Sequence, residues 1–456
     1  MSGARPWQGR RLHFVGVGGA GMSAYARAAH ALGAQVSGSD GASGPYLARL
    51  REDGVLDAHV GHDAANVPLG DGIELIYSSA VPEENSERAA ARERGIAERP
   101  RAELLGELSA LRRTIAVAGT HGKTTTSSML AHALRAAGLD PGWLIGAPIG
   151  GGLANAHWSE GEWLIVEADE SDRSMLSLEV EIAVLTNVEL DHHATFASLG
   201  ELREAFAAFL ARASAARVVW DRPELLALAP DDGPNGVELV RFDAPAPTLL
   251  NGGSSFHWRG ERVHLAVPGT HNVLDATAAL EAARLAGAEM GGAIAGLAGF
   301  HGAGRRFQLL GRSCAGALVY DDYAHHPTEV AATLDAARTL EHGRLIAVFQ
   351  PHLYSRTELL ASDFGRALAR ADVTVVLDVY PARERSEQHP GVSGLMIAEA
   401  TADAARGRPV YWLPGFDAAA SVLDGLLGTG DVCLVMGAGD VDALARRLVP
   451  APVETA

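Results

Sequence analysis

The chain has 456 residues, more than one ordinary hydrophobic core holds, so we expect two or three domains and favour three. Hydrophobic residues make up 47% and charged residues 21%, as in globular proteins, and no apolar run approaches the roughly 18 residues of a membrane span; we expect no membrane insertion and a cytoplasmic location. The formal net charge of −18 argues against a general nucleic-acid binder, and two cysteines, Cys314 and Cys433, cannot build a disulfide framework or a cysteine-rich zinc site.

Short apolar runs alternate with helical patterns along the chain, and this alternation predicts an α/β protein with parallel sheets. We expect an N-terminal Rossmann-like domain over residues 1–110, a central domain of P-loop ATPase type over 111–311, and a C-terminal Rossmann-like domain over 312–456. A charged, helix-like stretch closes the first domain at 83–113, and residues 218–265 favour a small β-rich excursion inside the second. Strands are predicted at Leu12–Val15, Thr114–Ala118, Trp163–Val166, Ile182–Leu185, Ala317–Tyr320, Leu345–Phe349, Val373–Leu377 and Val432–Met436.

A glycine-rich loop follows the first predicted strand. Gly16-Val17-Gly18-Gly19-Ala20-Gly21 matches the G-x-G-x-x-G spacing, and Asp40 ends the next strand about 20 residues further on, as in dinucleotide-binding folds. This loop alone would favour a nicotinamide-dependent dehydrogenase. Any pyrophosphate satisfies the same backbone geometry, however, and a purely structural turn is a further alternative. The loop therefore predicts a pyrophosphate site without identifying the ligand.

A second loop, from Gly119 to Thr125, follows the strand that ends at Ala118. Its glycines allow successive N–H groups to face phosphate oxygens, while Lys123 and the start of a helix add positive charge. Thr124 offers a hydroxyl group to magnesium, as the Ser/Thr of a P-loop does. Val117 occupies the place of the first Walker glycine, so the loop is shorter than usual. A structural glycine turn is the weaker alternative, and we predict nucleotide binding.

Acidic residues and a histidine follow two later strands of the central domain. Residues 167–172 (Glu-Ala-Asp-Glu-Ser-Asp) come after the strand at 163–166, and residues 186–192 (Thr-Asn-Val-Glu-Leu-Asp-His) come after the strand at 182–185. The carboxyl ends of parallel strands meet at one sheet edge, where open α/β sheets bind ligands. Carboxylates there suit magnesium, although any one of them taken alone is more often simply solvated.

The C-terminal third carries polar motifs at His271–Ala276, Arg305–Phe307, Asp321–Glu329 and Phe349–Thr357. Taken alone, the first is an ordinary helix start and the second an ordinary surface arginine pair. The two histidines of the third motif do not predict zinc, because no further ligands stand at suitable spacing.

These motifs, in this order from Leu12 to Leu448, resemble those of the Mur ligase family. The shortened phosphate loop is similar to that of Mur ligases and folylpolyglutamate synthases, which form an acyl phosphate from a carboxylate and ATP before an amine attacks. The resemblance is to members that join L-alanine to UDP-N-acetylmuramate in peptidoglycan precursor synthesis. It implies ATP and Mg²⁺ as cofactors, those two molecules as substrates, and a monomer or homodimer.

The resemblance also implies a role for individual residues of this chain. Catalysis would involve Lys123, Glu170, His192 and Arg306, and the metal ligands would be Thr124, Glu170 and His192. The UDP-sugar would contact Gly18, Gly19, Ala20, Gly21, Ser39, Asp40, His62 and Ser79. ATP would contact Gly119, Thr120, His121, Gly122, Lys123, Thr124, Thr125, Asn272, Asp275, Arg306 and Asp322, and the amino acid would contact Tyr323, His325 and Arg356.

The sequence departs from the family pattern at three positions. Ala194 stands where an aspartate is usual, Asp275 where an asparagine is usual, and Leu353 where an arginine is usual. An ionised aspartate only accepts hydrogen bonds, which weakens the match at 275. For Leu353, either another cation substitutes or the acceptor amino acid or its affinity differs, and we favour the first explanation.

The sequence is compatible with two other functions. One is a sibling ligase that joins a different amino acid, or a peptide, to the same sugar. The other is an NAD-dependent dehydrogenase whose phosphate loop has no catalytic role.

Overall fold

The computed structural model describes residues 5–191, 195–230 and 236–450 of the chain. They fall into two compact units: Met1–Asp243 with Asp275–Gly299, and Ala244–Leu274 with Phe300–Ala456. Within the described ranges, no helix is both long enough and apolar enough to cross a membrane.

The first unit begins with a five-stranded, wholly parallel sheet. Its strands are β1 (Arg11–Val15), β2 (Gln35–Asp40), β3 (Ala58–Val60), β4 (Ile73–Tyr77) and β5 (Ala97–Pro100), in the order β3-β2-β1-β4-β5. The helices are α1 (Ala20–Ala31), α2 (Pro45–Glu52), α3 (Ser86–Glu93) and α4 (Arg101–Ala110). The stretch at 83–113 therefore holds two helices with β5 between them, a short strand whose charged residues gave no strand signal.

A seven-stranded sheet follows in the same unit. It contains β6 (Arg113–Ala118), β7 (Gly142–Leu144), β8 (Ala156–His157), β9 (Trp163–Glu167), β10 (Val180–Leu185), β11 (Ala213–Trp220) and β12 (Glu238–Phe242). Their order is β12-β11-β10-β6-β9-β7-β8, and only β7 and β8 pair antiparallel. The helices are α5 (Lys123–Ala136), α6 (Leu199–Ala211), α7 (Pro223–Leu226), α8 (Thr270–Leu285), which begins in the second unit, and α9 (Met290–Ala298).

The second unit contains two sheets. A small antiparallel sheet consists of β13 (Thr248–Leu250), β14 (Gly253–Trp258) and β15 (Glu261–Leu265). The larger sheet contains β16 (Gln308–Arg312), β17 (Leu318–Asp322), β18 (Leu345–Phe349), β19 (Val373–Val376), β20 (Val410–Trp412) and β21 (Val432–Met436), in the order β16-β17-β21-β18-β19-β20. Only β16 in it pairs antiparallel. The helices are α10 (Pro327–Ala337), α11 (Tyr354–Leu368), α12 (Gly394–Ala404), α13 (Phe416–Leu426) and α14 (Asp442–Arg447).

The central strands of the larger sheets contain long apolar, buried runs. In β6 the segment from Ile115 to Ala118 is fully buried, and every residue of β18 is buried. Such continuous apolar runs are typical of parallel strands. All eight strands predicted from the sequence coincide with observed strands, and the predicted α/β fold with mainly parallel sheets is confirmed.

Candidate active site

The phosphate loop joins β6 to α5, and two of its glycines have backbone angles that disfavour other residues. Gly119 has a φ of 138° and Gly122 a φ of 82°. A Cβ atom at Gly119 would collide with Oγ1 of Thr186, and one at Gly122 would lie 2.5 Å from Oδ1 of Asp275. Gly122 is the N-cap of α5, so the loop ends with unpaired helix N–H groups, the arrangement that binds phosphate.

Lys123 opens α5 and points back over the loop. Its Nζ donates to the carbonyl oxygens of Gly119 and Thr120, at 2.6 and 3.1 Å, and lies 3.0 and 2.9 Å from the two carboxylate oxygens of Glu170. Burial lowers the pKa of Lys123, but the carboxylate of Glu170, with those of Asp169 and Glu167, outweighs it and raises that pKa above its usual value. Lys123 is therefore a fixed cation at the predicted phosphate site.

Thr124 contacts a carboxylate that the sequence had not assigned. Its Oγ1 donates to Glu167, with distances of 3.0 and 3.1 Å to the two carboxylate oxygens, and the Gly146 N–H donates to Oε2 of Glu167 at 2.7 Å. Glu167 ends β9 and is in register with Val117 of β6, which explains why it reaches the start of α5. The threonine hydroxyl with the carboxylates of Glu167 and Glu170 forms a set of hard oxygen donors, which fits Mg²⁺.

The third predicted metal ligand, His192, lies outside the described residues, as does Ala194. The segment before them supports the loop. The side-chain amide of Asn187 accepts from the His121 N–H at 2.9 Å and donates to the His121 carbonyl at 2.9 Å. His121 Nε2 lies 3.0 Å from Oε2 of Glu189, and the Thr120 hydroxyl donates to the Glu189 carbonyl at 2.9 Å. Thr125 is buried within α5.

The N-terminal glycine loop joins β1 to α1. The Gly18 N–H donates to Oδ2 of Asp40 at 2.8 Å, and a Cβ atom at Gly18 would lie 2.9 Å from that carboxylate. Gly19 is the N-cap of α1, and no side chain caps it. Gly18, Gly19, Ala20, Gly21 and Asp40 therefore lie together, as predicted. Because α1 starts in the loop, its first N–H groups are available for a pyrophosphate.

Ser39 and His62, two predicted UDP-sugar residues, belong to a hydrogen-bonded network beside this loop. Ser39 Oγ lies 3.0 Å from His62 Nδ1, which lies 3.3 Å from Oε1 of Glu87, while His13 Nε2 lies 2.7 Å from Oε2 of Glu87. Burial opposes ionisation of Glu87, but hydrogen bonds from His13, Ser39 and Asn66 lower its pKa to about 2. Ser79 lies exposed in the turn after β4.

In the second unit, β17 ends at Asp322. Its carboxylate accepts from the N–H groups of Phe307 and Ala324, both at 2.7 Å. Burial raises the pKa of Asp322 to about 6, against the opposing charge of Arg306. Arg306 itself lies 3.6 Å from Oε1 of Glu329. The carboxylate of Asp322 therefore stabilises the turn at Phe307 and lies at the carboxyl end of β17.

The predicted amino-acid residues lie in one cluster of the second unit. The rings of Tyr323 and His325 meet edge to face at 5.4 Å, and His325 approaches the ring of His352 at 6.1 Å. Nη1 of Arg356 lies 3.1 Å from Nδ1 of His352. Leu353, the N-cap of α11, has a φ of 72° and a ψ of 134°, a conformation that residues other than glycine rarely adopt. His352 was not predicted, although the motif contains it.

Two of the predicted ATP contacts, Asn272 and Asp275, fall on different units. Asn272 donates to the Pro268 carbonyl at 2.6 Å within the second unit, whereas Asp275 lies beside Gly122 of the phosphate loop in the first unit. The carboxylate at 275 therefore lies at the phosphate loop.

Comparisons with known proteins show similarity along nearly the whole chain. Three family models match: "Mur ligase family, catalytic domain" at residues 11–113, "Mur ligase middle domain" at 117–283, and "Mur ligase, glutamate ligase domain" at 305–439. The UDP-N-acetylmuramate–L-alanine ligase of Mycolicibacterium smegmatis is 43% identical, with 96% of this chain and 94% of the relative covered.

Solved structures are similar over the same length. The UDP-N-acetylmuramate-alanine ligase of Thermotoga maritima matches with a TM-score of 0.81 at 27% identity, covering 96% of this chain and 98% of the other. A murein peptide ligase of Psychrobacter arcticus matches with a TM-score of 0.70 at 25% identity and the same coverage. The three family models and the 43% identical relative show that the chain belongs to the Mur ligase family.

Proposed function

We propose that this protein joins L-alanine to UDP-N-acetylmuramate at the expense of ATP, through an acyl-phosphate intermediate, in peptidoglycan precursor synthesis. The observation that carries the proposal is the contact of Lys123 with Glu170 at the phosphate loop, next to the Thr124–Glu167 pair. Phosphoryl transfer requires positioning of the phosphates and neutralisation of their charge. One sheet edge here presents a cation, a helix N-terminus and hard oxygen ligands for both purposes. We infer the substrates from the relatives, which are named as ligases of UDP-N-acetylmuramate and alanine.

In the first step, a carboxylate oxygen of the sugar's lactyl group attacks the γ-phosphorus of ATP, and the bond to the β,γ-bridging oxygen breaks as ADP leaves. Charge spreads over the phosphoryl oxygens in such a transition state, so fixed donors at the loop lower the barrier. Lys123 and the N–H groups at Gly122 would serve as these donors. Bound Mg²⁺, held by Thr124 and Glu170 with Glu167 and the predicted His192, would neutralise phosphate charge.

In the second step, the amine of alanine attacks the carbonyl carbon of the acyl phosphate. The carbon–nitrogen bond forms, the amine loses a proton, and the carbon–oxygen bond breaks to release phosphate. We propose that Tyr323, His325 and Arg356 bind the amino acid, with His352 Nδ1 accepting a hydrogen bond from Arg356 and orienting its guanidinium group. The roles predicted for Arg306, Asp322 and Asn272 in ATP binding are part of the proposal.

A second candidate substrate has support from one observation. The similarity to a murein peptide ligase, with a TM-score of 0.70, is consistent with a peptide in place of alanine. The 43% identity to an alanine-adding relative favours alanine. We also propose three functional domains at 1–110, 111–311 and 312–456, a cytoplasmic location, and a monomer or homodimer.

Phosphate release measured with MgATP, UDP-N-acetylmuramate and a panel of amines tests the proposal. We expect release with L-alanine to exceed release with glycine, L-serine or a tripeptide. Preference for the tripeptide would replace alanine by a peptide without changing the reaction class. Absence of phosphate release with every amine, together with NADH oxidation by the same preparation, would contradict the ligase function.

A further inference from the structure

Arg101 begins α4, directly after β5 of the N-terminal sheet, yet its partners lie in the segment that follows β9 of the central sheet. Its Nε donates to Oδ2 of Asp172 at 2.6 Å, and Nη2 donates to Oδ2 of Asp169 at 2.9 Å. Only 13% of the side chain is exposed. Charge-assisted hydrogen bonds of a largely buried guanidinium group fix its orientation strongly. Arg101, which follows a strand of the N-terminal sheet, therefore contacts the acidic segment, residues 167–172, which follows a strand of the central sheet.

The remaining terminal nitrogen of Arg101 lies against the N-terminal glycine loop. A Cβ atom at Gly21 would lie only 2.8 Å from Nη1, so a side chain there would displace the guanidinium group. Gly21 is in the first turn of α1, where the predicted pyrophosphate loop ends. The absence of a side chain at Gly21 thus allows one guanidinium group to contact both the glycine loop and the acidic segment.

Hydrogen bonds within the acidic segment orient the two aspartates that contact Arg101. Oδ1 of Asp169 accepts from the Ser171 N–H at 2.9 Å, and Oδ1 of Asp172 accepts from the Ser174 N–H at 3.1 Å. These bonds close the segment on itself and leave both Oδ2 atoms to Arg101. Glu170 lies between the two aspartates in sequence and pairs with Lys123 of the phosphate loop. Arg101 therefore packs against Gly21 and pairs with the two aspartates, which are joined to Glu170, the partner of Lys123, through the backbone of the same segment.

We propose that Arg101 is a positioning residue that couples binding of the UDP-sugar to binding of MgATP. The proposal rests on the proposed function, since it assigns the glycine loop to the UDP-sugar and the phosphate loop to ATP. When the sugar's pyrophosphate orders the glycine loop, Arg101 holds Asp169 and Asp172 in one orientation and thereby sets the carboxylate of Glu170. Coupling between two sites is reciprocal, so each ligand strengthens the binding of the other by the same factor.

Arg99 provides a matched control because it has the same charge and comparable pairing two residues away. It contacts Glu74, Glu103 and Glu107, at 2.8, 3.0 and 2.6 Å, and its side chain is 21% exposed. All three partners belong to β4 and α4 of the N-terminal domain. Replacing Arg99 removes about as many ion pairs as replacing Arg101 but leaves the contacts of the acidic segment intact. Any change in coupling in the Arg99 variant would therefore come from a general structural effect.

The experiment measures the affinity of the full-length protein for a non-hydrolysable ATP analogue with Mg²⁺, with and without saturating UDP-N-acetylmuramate, by calorimetry. In the wild type we expect the sugar to tighten analogue binding about tenfold, a typical coupling between sites. In Arg101→Met we expect less than about a twofold effect, while Arg99→Met keeps the wild-type value. Arg101→Lys, which retains the charge but not the two-pronged geometry, should give an intermediate value and serves if the methionine variant does not fold.

The role of Arg101 would be overturned if Arg101→Met or Arg101→Lys kept the wild-type coupling. It would also be overturned if Arg99→Met lost as much coupling as Arg101→Met. Wild-type protein that binds both ligands without any coupling would also overturn it, and would leave the proposed function intact. Wild-type protein that binds no UDP-N-acetylmuramate would instead contradict the proposed function. Thermal melting of each variant separates loss of coupling from loss of fold.

Discussion

The ammonium group of Lys123 lies 2.9 Å from Oε2 of Glu170, and this ion pair joins the phosphate loop to the acidic segment after β9. Glu170 is only 1% exposed, and the ammonium group of Lys123 supplies a cation beside its buried carboxylate. The same pair carries the proposed chemistry, because it places a cation beside a carboxylate that we propose as a Mg²⁺ ligand at the proposed ATP site. The connection between the phosphate loop and the acidic segment and the proposed phosphoryl transfer therefore both depend on Lys123 and Glu170.

Changing Lys123 to Ala should reduce phosphate release by at least about 100-fold, because a fixed cation at the transferred phosphoryl group is lost. The rate is measured with saturating MgATP, UDP-N-acetylmuramate and L-alanine, and circular dichroism checks the fold. Arg113→Ala serves as the control: Arg113 starts β6 at the opposite end of the strand and pairs with Glu181 near the start of β10. A Lys123→Ala variant as active as Arg113→Ala would refute the role of Lys123.

Lys123 is also the only lysine in the chain, so an amine-directed reagent has one side-chain target besides the terminal amine. Its carboxylate partners raise its pKa, although burial lowers it, which decreases the fraction of reactive free amine at pH 9. We expect labelling at Lys123, followed by mass spectrometry, to be slower in the folded than in the urea-unfolded protein, and MgATP to slow it further. Nucleotide-independent labelling of Lys123 would show that ATP does not bind over the loop.

Gly122 and Gly138 offer a matched pair of substitutions at the two ends of α5. Their φ angles are 82° and 80°, but a Cβ atom at Gly122 would lie 2.5 Å from Asp275 Oδ1, whereas nothing lies within 4 Å of one at Gly138. Alanine at either position should cost about 1 kcal/mol of stability from backbone strain. Only Gly122→Ala should also weaken binding of an ATP analogue, by about tenfold or more. Equal analogue affinities in the two variants would contradict the placement of phosphate at Gly122.

Glu87 should make the stability of the protein depend on acid pH. Its folded-state pKa is about 2, below the usual 4.5, so the stability it contributes is fully present above pH 4.5 and is lost as pH falls through 2. The shift corresponds to about 3 kcal/mol at pH 7. Urea unfolding of Glu87→Gln should therefore show a deficit that is smaller by about 1 kcal/mol at pH 3.5 than at pH 7. A pH-independent deficit would mean that Glu87 is not held ionised.

The Glu87→Gln variant should also weaken UDP-N-acetylmuramate binding, because Glu87 lies 3.3 Å from the ring of His62, which contacts Ser39. Unchanged sugar affinity would show that this network supports the fold alone.

Sequence patterns predicted the strands and the loops at their ends, because apolar runs and glycine spacing are local signals. They also predicted that Lys123 and Glu170 lie at the same edge of the central sheet. They did not identify Glu167 as the partner of Thr124, since that contact follows from the register of β9 against β6. Register depends on packing between sheets and helices that no local pattern contains.

Arg101 gave no sequence signal for a related reason. Its partners lie 68 and 71 residues further along the chain, in the segment that follows a strand of a different sheet, and an arginine at a helix start is ordinarily a solvated side chain. The segment 97–100 was similarly predicted as helical, because β5 is short and polar. Such strands depend on pairing with a neighbour, here β4, more than on their own composition.

The most direct test of the central claim follows an oxygen atom. UDP-N-acetylmuramate carrying ¹⁸O in both oxygens of its lactyl carboxylate is incubated with MgATP, L-alanine and the protein, and the released phosphate is analysed by mass spectrometry. An acyl phosphate transfers one carboxylate oxygen to phosphorus, so each released phosphate should contain one ¹⁸O atom and the amide product should retain the other. Phosphate without ¹⁸O, formed alongside the amide, would contradict the acyl-phosphate mechanism.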